Sequence, residues 1–308
     1  MNTSLIHRLK QFYWDLLPVF EQWSLRARLF SLAWRNRLSS DAVVAADGEA
    51  VISLTTYGAR LANVHLTIES IGAGTVKPRR LILWLDKDGP VPPGLARLVK
   101  RGVEVKLCEN FGPHTKYFPY IEAETSFQLP LVTADDDVIY PTYWLERLIA
   151  ANKQFPDLIN CYRARDIVLT ETGLAPYLSW PLSSDCVPSL DKLMTGVSGV
   201  IYPVAMQQHL KNHGRAFIPV TPKNDDVWLH VVSLRHRIPV RQLAPTAAEY
   251  GVSPGSQEQA LWTTNQFGGR NDEQIKVTYT DTDFHDLKAA QQARLAGKPL
   301  PMASLSAH

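Results

Sequence analysis

The chain has 308 residues, of which 45% are hydrophobic and 20% are charged, a composition typical of soluble globular proteins. Its formal net charge of +2 gives no reason to expect a nucleic-acid partner. Three widely spaced cysteines exclude a disulfide framework and a cysteine-based zinc site. The sequence contains no run of about 18 apolar residues, the length needed to cross a bilayer. The expected location is the cytoplasm.

Residues 1–45 are predicted to form an N-terminal amphipathic helical segment, kinked or divided at Pro18. Six lysines and arginines against Asp15 and Glu21 give residues 1–40 a charge of +4. Such a helix either lies against an anionic membrane, here the inner face of the plasma membrane, or packs its apolar stripe on protein. Both interpretations stay open. The stripe comprises Leu5, Leu9, Phe12, Leu16, Phe20, Trp23, Ala27, Phe30 and Trp34.

Residues 46–245 show alternating strand and helix signals, which predict one α/β domain on a mostly parallel sheet. Strands are expected at 51–56, 80–86, 103–107, 129–134 and 158–162, with a further strand entered from a glycine-bearing turn in 195–203. Helices are expected at about 61–71, 93–100, 143–151 and 227–234. Residues 164–192 lack periodicity and are interpreted as a long excursion over the sheet. Residues 246–308 are predicted to be a C-terminal extension with a disordered tail.

Three consecutive carboxylates, Asp135, Asp136 and Asp137, follow the strand at 129–134. Adjacent aspartates repel one another unless a cation lies among them, and carboxylate oxygens suit Mg²⁺ or Mn²⁺. Ligands bind at the carboxyl ends of strands in open α/β sheets. The triplet therefore predicts a divalent-metal site, and a solvated acidic turn is the alternative.

Asp225 and Asp226 form a second acidic group, at the start of the helix over 227–234. Acidic residues stabilise a helix N-terminus through its dipole, so a capping role is one interpretation. A catalytic role as proton acceptor is the other.

The order of the motifs resembles that of bacterial polysaccharide glycosyltransferases of GT-A fold, in the broad family-2-like group. In chain order these are Thr-Thr-Tyr after the first strand, Leu-Asp after the second, Gly-Pro-x-x-Lys, Asp-Asp-Asp, Gly-x-x-Gly and Asn-Asp-Asp-x-Trp. The resemblance implies a GT-A (Rossmann-like) sheet flanked by helices, a nucleotide-diphosphate sugar donor and Mn²⁺ or Mg²⁺ as cofactor. It also implies a glycan or lipid-linked acceptor, in capsule or lipopolysaccharide synthesis.

The resemblance further implies a role for each matched residue. Asp135 and Asp136 match the family's DxD positions that hold the donor, and Asp135 and Asp137 those that hold the metal. His285, near Asp281 and Asp283, is expected as a late metal ligand, as in some GT-A enzymes. The remaining donor-binding positions are Thr55, Thr56, Tyr57, Arg60 and Lys116.

The acidic pair matches the family's catalytic base. Asp225 is favoured because the base begins the family's acidic motif, with Asp226 as second choice. Asn224 stands where the family more often has Glu, which leaves the position of the base within the pair open.

Two other functions stay open at this stage. Asp86 and Asp88 follow a predicted strand and resemble the Asp-x-Asp motif of haloacid-dehalogenase-like phosphatases, although Pro90 departs from that motif. The chain could also be a catalytically silent GT-A scaffold at the membrane. A silent domain would have no use for both the acidic triplet and the acidic pair.

Overall fold

The computed structural model describes residues 22–253 and 270–297. Predictions for Pro18, for the apolar stripe before residue 22 and for the tail beyond Gly297 lie outside these ranges. Among the residues that are described, no helix combines the length and the apolar character needed to cross a membrane.

A seven-stranded sheet forms the centre of the molecule, with the strand order β3-β2-β1-β4-β8-β5-β9. Strand β8 runs antiparallel to β4 and β5, and all other neighbouring strands pair in parallel. The prediction of a mostly parallel α/β sheet is therefore confirmed. The strands are β1 (Val51–Thr55), β2 (Arg80–Leu85), β3 (Val103–Leu107), β4 (Leu131–Thr133), β5 (Ile159–Cys161), β8 (Val200–Tyr202) and β9 (Val240–Gln242). Two further strands, β6 (Ala164–Asp166) and β7 (Lys192–Met194), form a separate antiparallel ribbon.

Helices cover both faces of the sheet. Within the described residues, the first helix, α1, covers residues 22–38. The others are α2 (Val64–Gly72), α3 (Pro93–Val99), α4 (Phe118–Ala123), α5 (Trp144–Gln154), α6 (Val204–His213), α7 (Asp225–Arg235), α8 (Arg270–Thr278) and α9 (Asp281–Leu295). Short 3₁₀ turns lie at Gly58–Ala62, Gly112–Lys116 and Tyr177–Ser179.

Alternation along the inner strands explains the two-sided core. In β1, Val51 faces one apolar cluster together with Trp84, whereas Ile52 and Leu54 face another with Leu83. Successive side chains of a strand point to opposite faces, so a strand with buried apolar side chains on both faces must be covered on both sides.

Several elements differ from their predicted positions. The excursion over 164–192 contains β6 and ends in β7, and α4, α6 and β9 were not predicted. Helix α4 has six residues, too few to show a helical period, and Pro119 lies in its first turn, where a missing N–H costs little. Three-residue strands such as β9 are likewise too short for an alternation to be recognised.

The strand order places the candidate site. The chain leaves β1 for β2 and β3 on one side, and then returns to place β4 on the other side of β1. The crevice between the carboxyl ends of β1 and β4 is thus a topological switch point, where α/β sheets bind ligands. Thr55 ends β1, and residues 56–57 and 135–137 follow the two strand ends.

Candidate active site

The middle aspartate of the triplet is held by the segment that follows β1. Thr56 Oγ1 donates to Asp136 Oδ2 at 2.6 Å, and Arg60 Nη1 donates to Asp136 Oδ1 at 2.8 Å. Arg60 Nη2 also lies 3.4 Å from Asp137 Oδ2. Burial raises the pKa of Asp136, against the opposing effect of Thr56 and Arg60. Both oxygens of Asp136 are therefore engaged, and this residue links the two strand ends.

The first aspartate pairs with a lysine from another part of the chain. Lys116 Nζ lies 2.5 Å from Asp135 Oδ1 and 3.8 Å from Asp225 Oδ2. Burial alone would lower the pKa of Lys116, but Asp135, Asp225 and Asp226 together raise that pKa well above its usual value. The ammonium group therefore connects the acidic triplet with the acidic pair.

Two contacts fix the loop that carries Lys116. The carbonyl oxygen of Lys116 accepts a hydrogen bond of 2.7 Å from Ser53 Oγ in β1. The buried His114 ring has Nε2 at 2.6 Å from the Thr221 carbonyl and Nδ1 at 2.9 Å from the Tyr117 hydroxyl. Burial lowers the pKa of His114 to about 3, so the ring is neutral and its Nε2–H donates to Thr221. His114 thus joins this loop to the segment that precedes α7.

The acidic pair begins α7, whose N-cap is Asn224, with Oδ1 accepting from Val227 N at 3.0 Å. Asn224 therefore supplies the cap, which leaves both aspartates available for other contacts. Asp226 Oδ1 accepts from Gly196 N at 2.9 Å, whereas Asp225 Oδ2 is buried with no hydrogen-bond partner among the described residues. Burial raises the pKa of both carboxyls, and the neighbouring Asp225 contributes to raising that of Asp226 to about 8.

Gly196 brings backbone close to the charged groups. A Cβ at this position would stand 3.0 Å from Lys116 Nζ and 3.3 Å from Asp226 Oδ1. The turn between β7 and β8 therefore approaches both side chains closely, and a larger residue would require them to shift by a few tenths of an ångström.

A cavity of about 260 Å³ opens beside these groups, near the lower end of the range for small-molecule sites. Seven of the predicted donor-binding residues line it, namely Thr55, Thr56, Tyr57, Arg60, Lys116, Asp135 and Asp136. The other predicted aspartates do not line it: Asp137 and Asp225 contact the lining residues Arg60 and Lys116, and Asp226, next to Asp225, accepts from Gly196 N. The structure thus brings ten of the predicted site residues together.

Six further residues line the cavity that were not predicted to bind the donor: Asp86, Asn110, Gly112, Pro113, Thr115 and Lys223. Asp86 follows β2, so the rule that parallel strands end at the same edge could have identified it. It accepts a hydrogen bond of 2.6 Å from Asn110 Nδ2 and belongs to this same cavity, whereas Asp88 accepts from the Gly89 backbone in an exposed turn. The two acids of the phosphatase interpretation therefore point to different surroundings.

His285 lies elsewhere. It is exposed on α9, where the flanking Asp283 and Asp286 pair with Arg235 and Arg237 at the C-terminal end of α7. Asp225 is at the other end of that helix, about 15 Å away along an axis of eleven residues. The structure does not bring His285 to the acidic triplet.

The donor set nevertheless fits a divalent cation. Within the described ranges, no three His, Cys, Asp or Glu side chains already converge as metal ligands. Five carboxylates surround Lys116 and Arg60, and the buried Asp225 Oδ2 lacks a hydrogen-bond partner among the described residues. An unpaired buried carboxylate oxygen is costly, and an added cation would reduce that cost.

No protein-family model and no curated protein matches the sequence. Among solved structures, the chain is similar to the mannosyltransferase PcManGT from Pyrobaculum calidifontis in complex with GDP-Man and Mn²⁺, with 12% identity over 93% of this chain and 88% of that one, and a TM-score of 0.49. It is also similar to CMP:2-keto-3-deoxy-manno-octonic acid synthetase complexed with CTP, with 12% identity over 74% of this chain and 100% of that one, and a TM-score of 0.42. A third similar structure is S. aureus TarS 1-349, with 12% identity over 67% of this chain and 60% of that one, and a TM-score of 0.40. Similarities this distant leave the function to be argued from the site.

Proposed function

We propose that this chain is a metal-dependent glycosyltransferase, which moves a sugar from a nucleotide-diphosphate sugar to a glycan or lipid-linked acceptor. The observation that supports the proposal best is the position of Lys116, between Asp135 at 2.5 Å and Asp225 at 3.8 Å. A group that binds the donor and a group that could activate the acceptor thus meet around one cation, at the switch point of the sheet.

The donor is proposed to occupy the cavity between β1 and β4. Thr55 and Tyr57 line it on the side of β1, where a nucleoside would lie. Arg60, Lys116 and Lys223 also line it, and cationic side chains suit the oxygens of a diphosphate. The proposed role of Asp136 is to hold Arg60 and Thr56 in place, since both of its oxygens are occupied by them.

Asp135 and Asp137 are the residues proposed to hold the metal ion. When bound, Mn²⁺ or Mg²⁺ would act as a Lewis acid toward the charge that develops on the leaving diphosphate. Lys116 supplies a second positive charge beside that group, and its fixed position means that it need not reorient as charge develops.

Asp225 is proposed to take the proton of the acceptor hydroxyl. A hydroxyl ionises far above neutral pH, so an ionised carboxylate within hydrogen-bond reach must accept its proton. Lys116 lies near Asp225 and favours its ionised form against the effect of burial, and Asp225 Oδ2 has no hydrogen-bond partner among the described residues. Asp226 is held by Gly196 N, and its raised pKa of about 8 keeps it mostly protonated at neutral pH.

The proposed setting is the cytoplasmic side of a bacterial membrane, where capsule or lipopolysaccharide precursors are built. The resemblance in motif order supports this setting, and the residues of the site do not depend on it. The alternative of a silent scaffold would leave five buried or half-buried acidic groups at the site without a role.

Calorimetric titration tests the donor half of the proposal. UDP, GDP, ADP, CDP and dTDP are titrated into the full chain with and without Mn²⁺, and one of them is expected to bind in a Mn²⁺-stimulated manner. Asp137→Ala should remove the stimulation while the fold persists, and Asp157→Ala, at an exposed position, is the matched control. Unchanged stimulation in Asp137→Ala contradicts the metal assignment, and no binding of any nucleotide contradicts the transferase.

A further inference from the structure

Helix α1 presents a stripe of large apolar side chains to solvent. The exposed fractions are 66% for Trp23, 66% for Phe30, 45% for Trp34 and 74% for Leu38. Steps of seven and four residues place the three aromatic side chains on one side of a helix with about 3.6 residues per turn. Isolated exposed apolar residues are ordinary, but a continuous stripe of large ones indicates a binding surface.

The opposite side of α1 is already packed on the domain. Leu32 is buried, and Asn36 Nδ2 donates to Glu69 Oε2 at 3.2 Å and to the Gly94 carbonyl at 3.1 Å. Leu25 lies against Gly251, where an added Cβ would stand 2.7 Å from Leu25 Cδ1. The helix is therefore held in place without any contribution from its aromatic side.

The arginines of α1 are also divided between the side that faces the domain and the side that faces solvent. Residues 22–38 contain four arginines and neither Asp nor Glu. Arg28 donates to the Tyr140 carbonyl and Arg35 Nε lies 3.0 Å from Glu69 Oε1, so both turn toward the domain. Arg26 and Arg37 are exposed beside the aromatic residues, and the Arg37 guanidinium lies 5.9 Å from the centre of the Trp34 ring.

We propose that this outer face of α1, formed by Trp23, Phe30, Trp34 and Leu38 with Arg26 and Arg37, binds the surface of an anionic lipid bilayer. Tryptophan and phenylalanine rings enter the interfacial region of a bilayer, and arginines beside them pair with acidic headgroups.

A second copy of this chain suits the face less well. In a symmetric dimer through α1, the arginines of one copy would lie against those of the other. No carboxylate between residues 22 and 38 would offset that repulsion.

The docked helix would lie directly behind the candidate active site. Arg28 contacts the carbonyl of Tyr140, and the hydroxyl of the same tyrosine accepts a hydrogen bond of 2.9 Å from Asp135 N. Gly251, against which Leu25 packs, accepts from Ile139 N at 2.8 Å. Bilayer contact would therefore hold the cavity at a fixed height above the membrane. That this height suits a lipid-linked acceptor rests on the proposed function, whereas binding to lipid does not.

Flotation of the full chain with lipid vesicles tests the inference. Vesicles of phosphatidylglycerol and phosphatidylcholine should carry the protein, and phosphatidylcholine alone or high salt should weaken the association. Trp23→Ala/Phe30→Ala/Trp34→Ala should reduce partitioning by about tenfold or more. Arg26→Gln/Arg37→Gln should reduce it by about fivefold for each arginine removed.

Two exposed positions on α9 provide matched controls. Leu295→Ala removes an exposed apolar side chain and Lys288→Gln an exposed charge, and neither should alter partitioning. Nucleotide binding in solution should be the same in all variants, which separates this inference from the proposed reaction. Undiminished flotation of the aromatic variant overturns the inference, as does a wild-type chain that does not float at low salt. A dimer that the aromatic substitutions dissociate would assign the face to a second copy and overturn it too.

Discussion

Replacing Lys116 by Met removes the central positive charge of the site and keeps an unbranched side chain that is one atom shorter. At an effective dielectric constant of about 20, a charge pair 2.5 Å apart attracts by about 6–7 kcal/mol, and one 3.8 Å apart by about 4 kcal/mol. The cost of burying the lysine offsets much of this attraction. Removing one partner of a buried pair typically costs about 3–5 kcal/mol, because the other charge stays buried and unpaired. We expect a loss of that size in the free energy of unfolding at pH 7.5.

The loss should depend on pH. Burial raises the folded-state pKa of Asp225 and Lys116 opposes that effect, so without Lys116 this pKa rises further above that of the unfolded chain. The folded variant then binds more protons than the unfolded chain, so its stability falls as pH rises above about 4. The difference between wild type and Lys116→Met should therefore be smaller at pH 5 than at pH 7.5.

Urea unfolding followed by circular dichroism at both pH values measures the effect. Lys153→Met is the matched control, since Lys153 Nζ lies 2.6 Å from Glu49 Oε2 with both side chains more than half exposed. Such a surface pair contributes about 0–1 kcal/mol. A loss in Lys116→Met no larger than that of the control, or one that is equal at pH 5 and pH 7.5, would refute the reasoning.

Three further predictions concern the acidic pair and the turn before β8. Asp225→Asn should lower the rate of single-turnover sugar transfer by about 10²- to 10⁴-fold while nucleotide affinity persists; a normal rate, with the loss found in Asp226→Asn instead, would move the base by one residue. The pKa of Asp226 is about 8 in the folded chain and about 4 in the unfolded chain, so the contribution of Asp226 to the free energy of unfolding falls as pH rises between these values. Asp226→Asn lacks this contribution, so its free energy of unfolding, measured with urea, should increase relative to that of wild type from pH 5 to pH 8. Gly199 has a φ of +104°, and an added Cβ would lie 2.6 Å from Trp144 Nε1. Gly199→Ala should therefore cost about 2–4 kcal/mol, whereas Gly173→Ala, with open space around it, should leave the melting temperature nearly unchanged.

The sequence determined the parts of the fold that depend on local pattern. Apolar runs such as 51–55 and 80–85 are long enough to be recognised as strands, and their alternation with helices predicts parallel pairing. A carboxylate that directly follows such a strand must lie at its carboxyl end, which is why Asp135 could be placed at the site. The antiparallel direction of β8 could not be predicted, because the sequence of a three-residue strand does not indicate which strand it pairs with or in which direction.

Only the tertiary structure decided which charges meet. Lys116 is separated from Asp135 by 19 residues and from Asp225 by more than a hundred, and no local pattern relates them. The roles within the acidic pair were equally hidden, since they depend on a backbone N–H from Gly196 that reaches one aspartate and not the other. His285 looked suitable near Asp281 and Asp283, yet Asp283 pairs with Arg235 at the far end of α7.

Helix α1 shows the same division between pattern and packing. Its sequence is apolar on two sides, one through Trp23, Phe30 and Trp34 and the other through Leu25 and Leu32. The predicted stripe was the aromatic one, and the helical period alone does not say which side of the helix is buried. The buried side also carries polar contacts: Arg35 and Asn36 bind Glu69, a buried carboxylate on α2 that Arg101 holds through both oxygens at 2.7 and 2.9 Å. The structure thus places the smaller stripe against the domain and leaves the aromatic one in solvent.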